Sequence, residues 1–465
     1  MMGLPVQPVL LWSDALLFVL IGVIVGLSLW ARRQDALRAA WARVARDGVA
    51  MAAATVLGVF VLIGLLDSLH YRARLPAQAG AAASYAVEVN SALDALLSGL
   101  RLRTEKTYSA PLATHLFARE ALENSTQREF PRLKHGGAHL GADIVGNLAG
   151  HELDVAVRLS RGLAGGLAVW LLLVSAWCRR RGVEVVEMLK VGAGETAIRP
   201  VVFTLLPILL LLGAAIALGG GYHVFGTDKV GQDVLYLSLK AIRTGLLIGT
   251  LTTLVMLPAA VSLGILAGYV GGWVDDLIQY VYTTLSSIPG VLLIAAAVLM
   301  MQVVIDTHPD WFATSAERAD ARLLALCLIL GMTSWTGVAR LLRGETLKLR
   351  ELEFVQAAQA FGVGRFAIMR RHILPNLMHI VLIALVMDFS GLVLAEAVLS
   401  YVGVGVDPTT ISFGTMINTA RMELAREPMV WWSLAAAFSF MFALVLAANL
   451  FADAVRDAFD PRSSA

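Results

Sequence analysis

Charge is scarce in this sequence. Asp, Glu, Lys and Arg together make up 15% of the 465 residues, whereas hydrophobic residues make up 58%. A soluble domain needs more charge on its surface than that, so a mean hydropathy of +0.72 excludes an ordinary soluble globule. The net charge is only +2, and no global basic field argues for nucleic acid. Cysteine is nearly absent. Cys178 and Cys327 both lie in or beside apolar runs, in no context for a disulfide or a metal site, and are read as packing residues. The dipeptide Gly-Lys does not occur, so there is no G-x-x-x-x-G-K-S/T phosphate loop. Neither H-E-x-x-H nor G-x-S-x-G appears, which leaves an intramembrane hydrolase without its catalytic pair.

What is present is a series of apolar runs, each about as long as a bilayer is thick, roughly 20 residues. They predict an all-α polytopic membrane protein with nine spans, near Asp14–Trp30, Val49–Leu66, Leu163–Trp177, Val201–Leu218, Leu239–Tyr269, Leu277–Val303, Leu323–Leu341, Leu377–Ala397 and Trp431–Phe451. The first run lacks a basic leading segment and a small-residue cleavage site, so it reads as an uncleaved anchor.

Basic residues set the orientation. They cluster at Arg32, Arg33, Arg38, Arg43 and Arg46; at Arg179, Arg180, Arg181, Lys190 and Arg199; and at Arg340, Arg343, Lys348, Arg350, Arg365, Arg370 and Arg371. Nine spans put all three clusters on one side, the cytoplasm. The N-terminus then faces outside and the C-terminal stretch from Arg456 to Ala465 faces inside.

Residues from about 67 to 160 fall outside on the same count. Ser91–Leu102 and Ala113–Asn124 have helical spacing there, predicting a small helical domain. The Asn124-Ser125-Thr126 sequon carries no meaning in a bacterial source. His151-Glu152 lacks the second histidine of a zinc motif and reads as a solvated pair on a helix, and Gly136-Gly137 between His135 and His139 opposes the helix that a metal pair would need; His115 shares the segment, and none is read as a metal ligand. The segments 304–321 and 398–430 also face outside, the latter folding back toward the membrane.

Between the seventh and eighth spans lies Glu351-Leu-Glu-Phe-Val-Gln-Ala-Ala-Gln-Ala-Phe-Gly362. It is rich in helix formers and ends at a glycine suited to stop a helix. A basic stretch follows, and then His372-Ile373-Leu374-Pro375-Asn376 opens the next span; proline is tolerated at a helix start. The physics alone reads this as a surface helix with small residues, Ala357 and Ala358, in its middle.

The pattern Gln356-Ala357-Ala358, Gly362, Ile373-Leu374-Pro375 resembles the EAA motif of ABC importer permeases, with Gln356 where the family usually has Glu. Phe225-Gly226-Thr227-Asp228, then Gly231-Gln232-Asp233-Val234, is similar to the G-T-D-x-x-G-R-D-V segment of the C-type member of dipeptide, oligopeptide and nickel permease pairs, with Gln232 replacing Arg. Ala267-Gly268-Tyr269, Gly271-Gly272-Trp273, Asp275, Ser287-Ile288-Pro289-Gly290, Glu396-Ala397, Leu399-Ser400-Tyr401, Gly403, Gly405-Val406, Pro408, Phe413-Gly414 and Met416-Ile417-Asn418 extend the match over residues 200 to 460.

The resemblance implies a permease core over 200–465 with a coupling helix over 351–364 that docks on a separate ATPase. Its contact residues would be Glu353, Phe354, Gln356, Ala357, Ala358, Ala360, Phe361 and Gly362, with Ile373, Leu374 and Pro375. Gly226, Thr227, Asp228, Gly231 and Asp233 would form a family motif on the outer side. The chain itself would need no cofactor, ATP and Mg²⁺ being bound by the partner. The implied partners are a second permease subunit, two ATPase subunits or domains and an extracytoplasmic binding protein, in a lipid bilayer.

Residues 1–66, 67–160 and 161–199 would be two extra spans, an outer domain, and a third extra span with its linker. Asp388, in mid-span, is a candidate pathway residue, and Glu396 a structural or outer-gate residue. A secondary transporter would need several buried ionisable groups and an inverted repeat. Here there is one mid-span Asp and only a faint echo over 188–207.

Overall fold

The computed structural model describes residues 6–31, 33–75, 85–121, 128–141, 148–185, 188 and 197–459. β1 (Val6–Val9) precedes α1 (Trp12–Ala31), α2 (Asp35–Arg46) and α3 (Gly48–Asp67). Then come β2 (His70–Ala73), β3 (Asn90–Ser91), α4 (Ala92–Leu96), α5 (Ser98–Arg101), β4 (Glu120–Ala121) and β5 (Arg128–Glu129). The long helices follow as α6 (Leu148–Arg181), α7 (Ile198–Gly219), α8 (Val234–Val270), α9 (Gly272–Ser287), α10 (Gly290–Thr307) and α11 (Ser315–Arg350). The chain ends through α12 (Glu353–Ala360), α13 (Arg365–Ile368), a π-turn (Met369–Ile373), α14 (Leu374–Val402), α15 (Phe413–Glu423) and α16 (Trp432–Phe459).

Eight helical stretches among the described residues are long and apolar enough to cross a membrane: α3, α6, α7, α8, α10, α11, the run from α13 through α14, and α16. Each overlaps one of the expected spans other than the first. The expected first span falls on α1, a 20-residue helix whose sequence from Leu16 to Trp30 carries no charged residue. The protein is thus an all-α, multi-pass membrane protein.

Two expectations need correcting. Leu277–Val303 is not one helix, because it divides at Ile288-Pro289 into α9 and α10. Ile288 is extended (ψ 133°), the conformation proline imposes on the residue before it. Ala113–Asn124 is not helical over its described part, 113–121, which forms turns and β4. Leu116 N–H donates to the Pro131 carbonyl (2.8 Å) and Leu133 N–H to that of Thr114 (2.9 Å), so pairing with a later stretch of the same chain overrides local helical spacing. The sequon Asn124-Ser125-Thr126, Arg32, Lys190, residues 189–196 of the weak repeat and residues 460–465 of the C-terminal segment lie outside the described residues.

The residues cluster into two units. One comprises Met1–Val9, Ala42–Thr244 and Ile411–Ala447. Within it, α6 and α7 pack closely through small residues. A Cβ on Gly162 would lie 2.6 Å from the Gly213 carbonyl oxygen, and one on Gly213 would meet the Gly162 carbonyl in turn. Small residues let membrane helices approach this way without a hydrophobic driving force. Trp170 Nε1 donates to the Val202 carbonyl (2.8 Å) inside a cluster with Val174, Cys178 and Met188. β1, β2 and β3 form an antiparallel sheet with Val6 opposite Ala73 and His70 opposite Ser91. The helical spacing of Ser91–Leu102 resolves into α4 and α5, with Ser91 and Asp94 forming a capping box.

The other unit comprises Leu10–Trp41, Gly245–Thr410 and Ala448–Ala465. Here α1 is pinned to α11: Ser13 N–H donates to Asp320 Oδ2 (3.1 Å) and its hydroxyl to Oδ1. Later residues of α8 approach α11 through Gly264 and Gly268, where a Cβ would lie 2.8 Å from the Ala339 carbonyl oxygen and 2.6 Å from Thr346 Cβ. One core cluster gathers Met256, Trp335, Leu342 and Leu377 with Val355 and Ala358 of α12. A second gathers Leu247, Leu326, Cys327, Leu330 and Leu399.

Candidate functional site

The surface helix α12 is built by its two ends and one buried edge. Its C-terminus is a Schellman motif: Val363 N–H donates to the Ala358 carbonyl (3.0 Å) and Gly362 N–H to that of Gln359 (2.9 Å). The motif places its stop residue in the left-handed region, and Gly362 has φ +77°. Nothing lies within 4 Å of where its Cβ would be, so backbone conformation and not crowding selects glycine here. Val355 and Ala358 are buried beside Tyr269, Ile368, Ile373 and Leu377. Gln359 Nε2 donates to Tyr269 Oη (3.2 Å), and Arg350 to the Tyr269 carbonyl (3.4 Å). Arg343 grips Asp275 with two parallel bonds of 2.6 and 2.7 Å, the geometry a guanidinium makes with a carboxylate.

The expected contact residues therefore divide. Glu353, Phe354, Gln356, Ala357, Ala360, Phe361 and Gly362 are exposed, while Ala358 and Ile373 are buried. The paired alanines point to different surroundings, Ala357 outward and Ala358 into the core. Phe361 is 87% exposed, an unusual position for a large aromatic ring and a docking feature when grouped with other apolar residues. Phe354, Phe366 and Leu352 are exposed too. Gln356 Nε2 reaches back to the Glu351 carbonyl (3.2 Å), so it makes a helix-end contact that needs no charge.

Leu374 is half-buried and Pro375 exposed, but Pro375 does not open a fresh helix. The helical path runs from Arg365 to Val402, and the π-turn Met369–Ile373 lies just ahead of the proline. Proline removes a donor and its ring crowds the carbonyl four residues back. A wider π-turn accommodates both without ending the helix.

The Gly226–Asp233 segment forms a second constellation, which binds the chain to itself. Thr227 is fully buried; its hydroxyl donates to the Thr107 carbonyl (2.8 Å) and accepts from Ser109 N–H (2.7 Å). Trp432 Nε1 donates to the Thr227 carbonyl (2.9 Å), with the Phe117 ring 4.8 Å from Trp432, edge on. Asp228 Oδ1 accepts from Val230 and Gln232 N–H, at 2.9 and 2.8 Å. Gly226 and Gly231 have φ of +69° and +79°, and a Cβ on either would strike the backbone of Ser109 or Glu105. Asp233 caps α8, accepting from Leu235 N–H (2.9 Å) and Tyr236 N–H (3.2 Å).

Asp233 also meets His223 Nδ1 (2.8 Å), whose Nε2 lies 3.3 Å from Glu105. Glu105 accepts N–H bonds from Lys134, His135 and Gly136, at 2.8, 2.7 and 3.1 Å. Burial alone would lower the His223 value, but the bonds to Asp233 and Glu105 outweigh it and hold it at about 9. Burial would raise Glu105, and its bonds from His223 and three backbone amides bring it to about 2.

Because His223 titrates above its ordinary 6.5, its contribution is complete below that pH and lost as pH rises through about 9. Glu105 titrates below its ordinary 4.5, so its contribution is complete above that pH and lost as pH falls through about 2. Amide protection at Lys134, His135 and Gly136, corrected for intrinsic exchange, should fall between pH 7 and about 9.5. A His223→Gln variant should lose that slope. An unchanged slope in the variant would remove His223 as its origin.

A third constellation escapes the sequence because its members lie far apart. Lys240 Nζ meets Asp67 (2.7 Å) and Asp94 (3.1 Å). Ser91 Oγ donates to Asp67 (2.6 Å) and Tyr236 Oη to Asp94 (2.7 Å). Both carboxylates are buried.

Asp388 and Glu396 are not brought together, being separated on α14 by about 12 Å of axial rise. Asp388 Oδ2 is buried without a hydrogen-bond partner among the described residues. Glu396 is buried and accepts from Ser400 Oγ (2.7 Å). Among the histidines of the segment 67–160, His139 Nε2 lies 2.8 Å from Asp154, His151 Nε2 lies 3.0 Å from the Leu112 carbonyl, and His115 Nδ1 lies 3.0 Å from the Thr114 hydroxyl. Burial lowers the affinity of His135 for a proton.

Residues 260–465 match the family of binding-protein-dependent transport system inner membrane components. The chain is 32% identical to the oligopeptide transport system permease protein OppC of Mycobacterium tuberculosis H37Rv over 244 residues, 52% of this chain and 77% of that one. It is 31% identical to the glutathione transport system permease protein GsiD of Pectobacterium atrosepticum, covering 52% of this chain and 73% of the relative. The dipeptide transport system permease protein DppC of Lactococcus lactis is 30% identical, over 52% and 64% respectively.

Proposed function

The chain belongs to the inner-membrane component family of binding-protein-dependent transport systems, and from that membership we propose that it forms half of the path by which an ATP-driven importer takes up small peptides. It is a permease subunit and not an enzyme. An importer of this kind works in the membrane with an ATPase and a substrate-binding protein. The companion we propose is a second, different permease, with two ATPase subunits or domains that bind ATP and Mg²⁺.

The observation that carries the coupling role is α12. It is short, rigidly stopped at Gly362, fixed to the core by Val355 and Ala358, and presents Phe361 almost wholly to solvent. Such a helix can enter a groove on a partner and pass its motion on as a rigid-body shift. Glu353, Phe354, Gln356, Ala357, Ala360 and Phe361 are the proposed contacts. Ala358 and Ile373, with Leu374 packed on the same core, hold the helix from behind, and exposed Pro375 stays a proposed contact.

The distribution of arginine supports α12 on the cytoplasmic side, with the N-terminus outside and the C-terminus inside. Residues 200–465 then form the permease core, and 1–66, 67–160 and 161–199 an extension whose outer part contacts the binding protein or companion permease. The Gly226–Asp233 motif, on the outer side, ties that part to the start of α8. Asp388 is a proposed pathway residue, because a buried unpartnered carboxylate oxygen in a span needs water or a counter-charge in the assembly. Glu396, bonded to Ser400, holds the structure.

The test is co-purification from the native host in mild detergent. Recovery of a second permease and ATPase subunits, with uptake lost on ATPase depletion, is expected. Uptake by this chain alone in ATP-free liposomes would identify a secondary transporter instead.

A further inference from the structure

The helix α9 carries a polar stripe that the fold leaves uncovered. Asp276, Tyr280, Thr283 and Ser287 are spaced four, three and four apart, which places them on one helix face. All four are exposed, Tyr280 by 70%. The opposite face is core: Ile278 and Tyr282 are buried with Trp335, Val338, Val381 and Ala384, and the Arg340 guanidinium sits 5.0 Å over the Tyr282 ring. Arg343 occupies Asp275. Asp276, one residue round the helix, makes no hydrogen bond or ion pair among the described residues, although its charge reaches the Arg343 guanidinium.

Beside the stripe α9 also exposes Trp273, Leu277 and Val281, and beyond the Ile288-Pro289 break the exposed surface becomes mainly apolar. The exposed side chains of α10 include Val291, Leu292, Leu299, Met300 and Val303, a surface suited to lipid. A carboxylate and three hydroxyls are costly against hydrocarbon, so polar side chains at membrane depth face a water-filled cavity or a partner. Interrupted membrane helices occur where they line such a cavity.

Resting on the permease reading above, we propose that this stripe lines the cytoplasmic half of the solute path. Its hydroxyls both donate and accept, matching the amides of a small peptide, and Asp276 faces the peptide's ammonium end. No cationic side chain interrupts the stripe.

The test uses the assembled importer in liposomes. Cys178 and Cys327 are buried, so the thiol background is low. Tyr280→Cys and Thr283→Cys should react with a membrane-impermeant, charged methanethiosulfonate. The rate should differ between nucleotide-free and vanadate-trapped states, and reaction should abolish uptake. Met300→Cys on α10 should react only with a membrane-soluble maleimide. Asp276→Asn should raise the half-saturating concentration of tetra-alanine about fivefold, the scale of one solvent-exposed ion pair, and leave N-acetyl tetra-alanine unchanged.

Equal reactivity in both states with uptake intact would make the stripe an ordinary solvated face and overturn the proposal. Absence of reaction in either state would make it a buried subunit contact and overturn the proposal equally. Failure of the importer reading is seen separately and earlier, as absence of ATP-dependent uptake by the unsubstituted assembly.

Discussion

Replacing Phe361 by aspartate should leave the chain folded and inserted yet free of its ATPase partner. Phe361 is almost wholly exposed, so the isolated chain loses little, within about 0.5 kcal/mol for a surface change of this kind. Docked in a groove, the ring would contribute about 1.5–3 kcal/mol through burial, and an aspartate there would be an unpaired buried charge. A loss of about 3 kcal/mol weakens docking roughly a hundredfold, enough to empty a detergent pull-down of ATPase.

The neighbouring alanines sharpen this prediction. Ala357→Asp should behave like the Phe361 variant, because Ala357 is exposed. Ala358→Asp should instead lower the yield and melting temperature of the chain itself, because Ala358 lies in the core beside Ile373 and Leu377. Gel filtration and thermal melting of each variant, beside the pull-down, separate the two behaviours. Normal ATPase recovery with the Phe361 variant would remove α12 as the docking element.

The largest expected loss of stability comes from Lys240→Ala. The substitution leaves Asp67 and Asp94 buried without the cation they share. Breaking a buried ion pair by removing one partner typically costs about 3–5 kcal/mol, a large fraction of a marginal stability. Little folded protein should be recovered, and what is recovered should melt lower. Adding Asp67→Asn should restore part of the loss, since Asn keeps a carbonyl to accept the Ser91 hydroxyl and removes one uncompensated charge. A Lys240→Ala chain that melts like the parent would show that water or another cation serves the site.

The long helices were legible because each apolar run is set by bilayer thickness, a one-dimensional constraint. The position of α12 was legible for a similar reason: helix formers over 353–360 stop at a glycine with a conformational task. What escaped the sequence depends on the third dimension. The division of Ala357 from Ala358 follows from which side of α12 meets Ile368 and Ile373, and neighbouring identical residues carry no such label. Pro289 was visible, yet an apolar run on either side made one span the simpler reading.

The pairing of Lys240 with Asp67, and of His223 with Glu105, joins residues more than a hundred positions apart. Charges at such separations have no periodicity to betray them. The turns at 113–121 were misjudged because helical spacing is weak evidence where a second strand of chain, 128–133, competes for the same backbone groups.

The anchoring of Ser13 to Asp320 bears on how freely the parts of this protein could be exchanged. A segment merely appended to a transporter could be cut off, or transplanted onto a relative, like a cassette. Here α11 has committed a buried carboxylate to donors near the start of the chain, and Lys240 has likewise committed its charge to Asp67 and Asp94. A graft would have to carry Asp320 and Lys240 with it, and a shortened chain would need new residues at both. The ancestry of such a chain is better traced by the co-occurrence of these residues than by its length.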